Sequence, residues 1–247
     1  TKEVIEAQKP MIIFGESFLK SKSAKFLFNS FKNFLLSNNK FTDDWSPLNF
    51  LPSDAATVGS LDLDIIDKKN ELINSLNEHK FDLVFLMGQD NLKFNKKNEF
   101  IIYVGSHGDN GAELADIILP GAAYTEQSGH YTNLEGKVQK AYKASYPPGD
   151  AKEDWEIINN LAEFMNNRKL FNDRDELESS MFNYINLKKE KQESPSNSKV
   201  DLSDFEDEIL KITYKDYYFS NVIARSSKTM LNCNNSKLEV KRTGTEG

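Results

Sequence analysis

The chain has 247 residues, with 38 acidic against 31 basic side chains and a formal charge of −7. That balance does not neutralise phosphates, so nucleic acid is excluded as an expected partner. Its single cysteine, Cys233, excludes an internal disulfide and an iron–sulfur cluster held by this chain alone, which wants about four thiolates.

The length suits one large domain or two small ones. No apolar run approaches the ~20 residues of a membrane span. The first residues, TKEVIEAQKP, show neither an apolar signal core nor an Arg-rich presequence. They also lack a starting Met, as expected of a processed chain or of a portion of a longer one.

In chain order, PMIIFG (10–15) predicts a buried strand between Pro10 and Gly15. SAKFLFNSFKNFLLS places Phe28, Phe31 and Leu35, with Leu27 and Phe34, at helical spacing. A looser stretch carries Trp45, Pro47 and Pro52. DIIDKKNELINSLNEH predicts a second helix, with Ile65, Ile66, Leu72, Ile73 and Leu76 on one side. FDLVFLMG (81–88) is a continuous apolar run, expected to be a strand buried on both faces. FIIYVGS (100–106) and ADIILPG (115–121) are two more strands.

This order predicts an α/β fold, a mainly parallel sheet with flanking helices, followed by a helical C-terminal extension. Gly15, Gly88, Gly105 and Gly121 fall at strand ends, where such sheets place a ligand crevice. HYTN and KVQKAYKASY flank a Leu-Glu-Gly turn and predict a hairpin. AKEDWEIINNLAEFMNN is a helix with Trp155, Ile158, Leu161 and Phe164 or Met165 as its apolar face. DRDELESSMFNYINLKKEK is a further helix, and its run of Lys188, Lys189 and Lys191 reads as a solvated face. The expected organisation is an α/β domain over 1–148, a helical segment over 149–191, a polar linker over 192–200 and an extension over 201–247, polar and disordered at its end.

The chemistry-bearing residues are sparse in pattern. No G-x-G-x-x-G follows the first strand and no P-loop occurs. His107, Asp109, Glu113 and Asp116 cluster in SHGDNGAELAD, but the expected role is a strand-to-helix turn with Asp109 or Asn110 as cap. His79, His107 and His130 have no nucleophile partner by motif. Ser128 lies in QSGH rather than G-x-S-x-G. Glu126 and Glu135 are a weak candidate acid–base pair. No catalytic, cofactor-binding or metal-ligating residue is therefore assigned.

One phrase is specific. Ala115, Asp116, Leu119 and Pro120 are followed by Glu126, Gly129, Thr132, Asn133, Glu135, Gly136, Lys137 and Gln139. This ADxxLP…E…G…TNxEG[RK]xQ pattern resembles the C-terminal domain of the large iron–sulfur subunit of respiratory complex I, NADH:ubiquinone oxidoreductase. That domain is related to molybdopterin oxidoreductases. LPGAAYTE, KPMIIFG and DLVFLMGQD also match complex I, and KITYKDYYFSNVIARSSKTMLNC (211–233) resembles the mitochondrial protein's extension. Lys137 stands where the family usually has Arg.

The resemblance implies a non-catalytic structural part of the matrix arm of mitochondrial complex I, at the inner membrane on the matrix side. It implies no cofactor in this chain, with iron–sulfur clusters and FMN in partner domains or subunits. The implied partners are the cluster-binding N-terminal part of the large subunit and the flavoprotein subunits. The alternative is the C-terminal portion of an active molybdopterin-dependent oxidoreductase. On the complex I reading, the glycines of LPGAAYTEQSGHYTNLEG are expected to preserve a backbone path whose ligand has gone.

Overall fold

A computed structural model of the chain describes residues 2–19, 21–67, 71–190, 194–207 and 216–242. Lys191, the first two residues of the 192–200 segment, KITYK (211–215) and the tail at 243–247 lie outside the described residues.

The elements run α1 (Lys2–Glu6), β1 (Ile12–Gly15), α2 (Glu16–Leu19), α3 (Ala24–Ser37), β2 (Leu48–Leu51), α4 (Thr57–Asp62), α5 (Leu72–Asn77), β3 (Leu83–Met87), β4 (Phe100–Gly105), α6 (Asn110–Leu114) and β5 (Ile117–Pro120). There follow β6 (Gly129–Thr132), β7 (Val138–Ala141), α7 (Asp154–Asn166), α8 (Arg174–Glu190), a 3-10 turn (Leu202–Asp204), α9 (Val222–Ser226) and α10 (Lys228–Arg242). The sheets whose registers are resolved are parallel, and helices alternate with their strands along the chain, so the fold is α/β. Among the described residues no helix is long and apolar enough to cross a membrane. α10 runs to Arg242, and the chain end expected to be disordered, 243–247, lies outside the described residues.

Two compact units form. The first contains residues 1–65, 130–139 and 178–213. Its strands β1 and β2 pair in parallel, Ile12 with Leu48 and Phe14 with Phe50. β2 lies in the stretch read as loose. Leu48–Leu51 is short and framed by Pro47 and Pro52, so its strand character comes from pairing with β1 rather than from its own pattern. Phe14 is buried and meets Phe18, Phe28 and Phe31 at ring-centroid distances of 4.4, 5.7 and 5.8 Å. Such ring pairs contribute about 0.5–1.5 kcal/mol each beyond area burial. They fix α3 on β1 and account for the helical spacing of its phenylalanines.

The polar segment after α8 is laced to α3. Ser198 N donates to Asn33 Oδ1 at 2.9 Å, and Asn33 Nδ2 donates to Ser198 O at 2.7 Å. Ser23 Oγ both donates to Glu206 O and accepts from Glu206 N, each at 2.9 Å. The solvated-face expectation for the lysine run fails at Lys188. Its ammonium donates to the carbonyls of Leu61 and Asp62 at 2.5 and 3.2 Å, capping the end of α4. A cation there complements the helix dipole and the orphan carbonyls.

The second unit contains residues 66–129, 140–177 and 214–247. Its sheet has the order β3–β4–β5, with Leu86 beside Tyr103 and Val104 beside Leu119. Leu86, Ile101 and Tyr103 form the core on one face, covered by Leu92, Phe94, Ala112 and Leu114. β3 is not buried on both faces, contrary to its continuous apolar sequence. It is the edge strand, and Leu83, Phe85 and Met87 on its other face are exposed.

Two helices of this unit differ from their sequence patterns. α5 starts at Leu72 with Glu71 as its N-cap residue, and Asp67 Oδ2 accepts from Leu72 N at 2.7 Å. Lys68, Lys69 and Asn70 of the expected longer helix lie outside the described residues, and Ile65 is 70% exposed. In α7 the buried residues are Ile157 and Asn159, while Phe164 and Met165 are exposed. Asn159 Oδ1 accepts from Leu170 N and Phe171 N, and its Nδ2 donates to Phe171 O. The returning chain therefore claims a face that helical periodicity assigned to solvent.

Candidate functional site

Within the second unit the carboxyl ends of β3, β4 and β5 meet at a crevice. β3 ends in Gly88 at φ +61°, a left-handed conformation that favours glycine. Gly88 N donates to Val104 O at 2.9 Å, and Gly121 N donates to Gly105 O at 3.0 Å. These bonds align the three strand ends. The cavity between them measures about 230 Å³. Asp90, Ser106, Ala123, Gln127 and Asp154 line it, together with Val222.

The glycine density in this region has an answer inside the fold. A Cβ on Gly105 would lie 2.1 Å from the Tyr103 hydroxyl. One on Gly121 would lie 3.2 Å from both Asp154 Oδ1 and Gly105 N. One on Gly111 would meet Gln89 O at 2.6 Å. The close approach is thus to Tyr103, Gln89 and Asp154. Tyr103 is 1% exposed. Its hydroxyl is within hydrogen-bonding reach of the Asp90 carboxylate and of His107 O, so its one proton has two acceptors. Burial first, then the neighbouring Asp90, push its phenol well above the ordinary range.

The loop after β5 closes on itself. Glu126 Oε2 accepts from Ala123 N at 2.9 Å, and Glu126 N donates to Ala123 O at 2.8 Å. Beyond it, Arg174 at the start of α8 donates to Glu153 and to Ser128 O. Glu153 is buried and also accepts from Lys143 Nζ at 3.2 Å. Burial works to raise its pKa, but Arg174 and Lys143 outweigh burial and hold it below the ordinary value. Glu153 also forms a capping box with Glu156, which starts α7. Asp154 beside it moves the other way. Burial raises its pKa, the charge of Glu153 adds to that, and Gln127 opposes it.

The remaining candidates serve structural roles. Asp109 caps α6 by accepting from Asn110 N at 2.9 Å, as its sequence position suggested. Asp116 pairs with Lys96 and accepts from Ile101 N, which together hold its carboxyl below the usual range. His79 Nδ1 contacts Glu99 Oε1 at 2.5 Å, and His107 Nδ1 contacts Ser106 Oγ at 2.9 Å. In the first unit His130 lies edge-on to Phe182 and 3.8 Å from Glu178. Ser128 Oγ accepts from Lys143 N. Among the described residues no group of three His, Cys, Asp or Glu converges on a metal position.

The TNLEG phrase, in the first unit, is a self-closed turn. Asn133 Oδ1 accepts from Glu135 N at 3.0 Å and from Lys137 N at 2.9 Å. Gly136 takes φ +77°. Glu135 accepts from Asn133 Nδ2 within the same turn. Glu126 and Glu135, weighed as an acid–base pair, are each engaged in a separate turn.

One wall of the crevice escaped sequence reasoning. Asn221 Oδ1 caps α9 by accepting from Ala224 N at 2.9 Å, and Val222 and Ile223 face the cavity. Arg225 Nε donates to Asp109 Oδ2 at 2.6 Å, which pins α9 to the strand-end turn. A cap acts over a few residues, and nothing local marks where α9 packs.

These elements define an α/β protein of the class that carries its cleft beyond the carboxyl ends of a parallel sheet. Residues 1–164 match the molybdopterin oxidoreductase family, and residues 176–233 match the C-terminal region of the G subunit of NADH-ubiquinone oxidoreductase. The chain belongs to the molybdopterin oxidoreductase family. It is 36% identical over 243 residues to the NADH-ubiquinone oxidoreductase 75 kDa subunit of Reclinomonas americana, covering 94% of this chain and 35% of that one. It is 35% identical over 245 residues to the mitochondrial 78 kDa subunit of Candida albicans, covering 92% and 33%. The G subunit of NADH-quinone oxidoreductase from Rickettsia typhi is 38% identical over 255 residues, covering 98% and 35%. The chain spans about a third of the length of these curated relatives.

The family name implies a molybdopterin, and the crevice does not suit one. A pterin cofactor carries phosphate and a metal, which call for cationic donors and a metal ligand. The lining holds two carboxylates, Asp90 and Asp154, small alanines, and neither Lys nor Arg. Its volume falls below the roughly 300–1,000 Å³ of pockets that enclose drug-sized ligands. Val222 and Ile223 fill one side with the chain's own apolar groups.

Proposed function

We propose that this chain is the non-catalytic C-terminal part of the large iron–sulfur subunit of mitochondrial complex I, supporting NADH-to-ubiquinone electron transfer as scaffold. One observation carries the reading. The strand-end crevice has a wall built by α9, and α9 lies inside the segment matching the C-terminal region of the NADH-ubiquinone oxidoreductase G subunit. A cleft closed by the chain's own extension suits a scaffold and not an enzyme. The name of the Candida albicans relative, a mitochondrial NADH-ubiquinone oxidoreductase subunit, supports the same assignment.

On this reading the iron–sulfur clusters and FMN belong to partner domains or subunits, since Cys233 is the chain's sole thiol. The partners are the cluster-binding N-terminal part of the large subunit and the flavoprotein subunits, at the matrix side of the inner membrane. The α/β part over 1–148, the helical segment over 149–191, the linker over 192–200 and the extension over 201–247 all serve as scaffold.

The test is native electrophoresis of solubilised mitochondrial membranes, with NADH-oxidation staining, mass spectrometry and elemental analysis of the band. The chain is expected in the large NADH-oxidising band, without stoichiometric molybdenum. Its presence in a smaller, molybdenum-containing species would overturn the proposal.

A further inference from the structure

The β3–β4–β5 sheet has two unlike faces. Val84, Leu86, Ile101 and Tyr103 point to the side covered by α6 and by Leu92 and Phe94. Leu83, Phe85 and Met87 point to the other side, and the register sets Phe100 beside Leu83 and Ile117 beside Ile102 on that same face. Exposure there is 51% for Leu83, 38% for Phe85, 40% for Met87, 45% for Phe100 and 44% for Ile117, while Val104, beside Met87 on that face, is buried at the crevice end. Among the described residues β3 pairs only with β4, so its outer edge is unpartnered as well.

Parallel sheets occur almost only with both faces covered, because their crossovers lay helices on each side. A contiguous apolar patch of this kind marks an interaction surface, and an open strand edge invites continued pairing. The question is what covers it. The relatives are about three times the length of the segment matched here, since that segment is 33–35% of each.

We propose that this face is the seat of the counterpart of the remaining two thirds of the relatives' chain. That region lays an apolar helical or strand layer on Leu83, Phe85, Met87, Phe100 and Ile117. The inference rests on the proposed function, and it adds which surface carries the docking. Ile118, at 54% exposure, pairs with Tyr103 in the register and so lies on the opposite face. It serves as the matched control.

The experiment uses the native NADH-oxidising assembly. A photo-crosslinking amino acid replaces Phe85 in one strain and Ile118 in another, and adducts are identified by mass spectrometry. Position 85 is expected to cross-link to peptides of the cluster-bearing part of the large subunit, and position 118 is not. Phe85→Asp with Phe100→Asp is expected to lower incorporation into the assembly by about tenfold, since a lone carboxylate is costly in an apolar contact. Ile118→Asp is expected to leave incorporation near normal. Cross-links from position 85 only to another subunit, or to a second copy of this chain, would overturn the docking proposal and leave the functional reading standing. Absence of the chain from the NADH-oxidising assembly would overturn both.

Discussion

Arg225 and Asp109 are 116 positions apart, and their side chains meet at 2.6 Å, tying α9 to the turn before α6. Both are largely buried, with side-chain exposures of 25% and 20%. Burial acts to raise the Asp109 pKa, but Arg225 and the Asn110 N–H outweigh it and hold the carboxyl below its usual value. Arg225→Ala removes that partner and should cost about 1–3 kcal/mol. Faster amide exchange over 219–226, with β4 unchanged, is the expected signature. An α9 that stays as protected as before would show that Arg225 does not hold the roof.

The Glu153 carboxylate should be the most sensitive of the ion-pair sites. Arg174→Ala leaves the buried acid with Lys143 and the Glu156 N–H of the capping box, and also removes the donor to Ser128 O. Breaking a buried pair on one side is strongly destabilising, so a loss of about 2–4 kcal/mol is expected. Chemical denaturation of the variant against wild type measures it, and a loss within about ±0.5 kcal/mol would contradict the geometry.

Glycines in the special stretch should separate into two kinds. Gly111→Ala sets a methyl against the Gln89 carbonyl, which cannot swing away as a side chain would, and should destabilise by about 1–3 kcal/mol. Gly129→Ala meets no atom within 4 Å, so its thermal midpoint should match wild type. In the hairpin turn, Gly136→Ala should cost about 1 kcal/mol through its positive φ. Lys137→Arg should be silent because Lys137 is exposed.

Acid should act through Glu99. The Lys97 N–H, its own backbone N–H and then the His79 ring lower its pKa from 4.5 to about 2. A depressed folded pKa means the unfolded state binds the proton first. The stabilisation is therefore complete above 4.5 and is lost as the pH falls from there toward 2. Glu99→Gln should flatten the acid-unfolding profile in that window, read by tryptophan fluorescence. An unchanged profile would place the acid sensitivity elsewhere.

The alternation of strands and helices, the parallel class, the glycine-terminated strands and the Asp109 cap are all legible along the chain, as is the family phrase. These are local or periodic properties: apolar runs, turn residues and caps act over a few positions. Long-range packing set the rest. β2 exists because β1 lies beside Leu48–Leu51. β3 is half exposed because the apolar cluster of Leu86, Ile101 and Tyr103 packs on one face of its sheet while Leu83, Phe85 and Met87 lie on the other, a fact its apolar run cannot encode. Asn159 is buried, and Phe164 exposed, because the returning loop at Leu170 and Phe171 covers one side of α7 and not the other. Arg225 reaches Asp109 only when the chain has folded back on itself. Each of these depends on a partner distant in sequence, and no short window along the chain contains both members of such a pair.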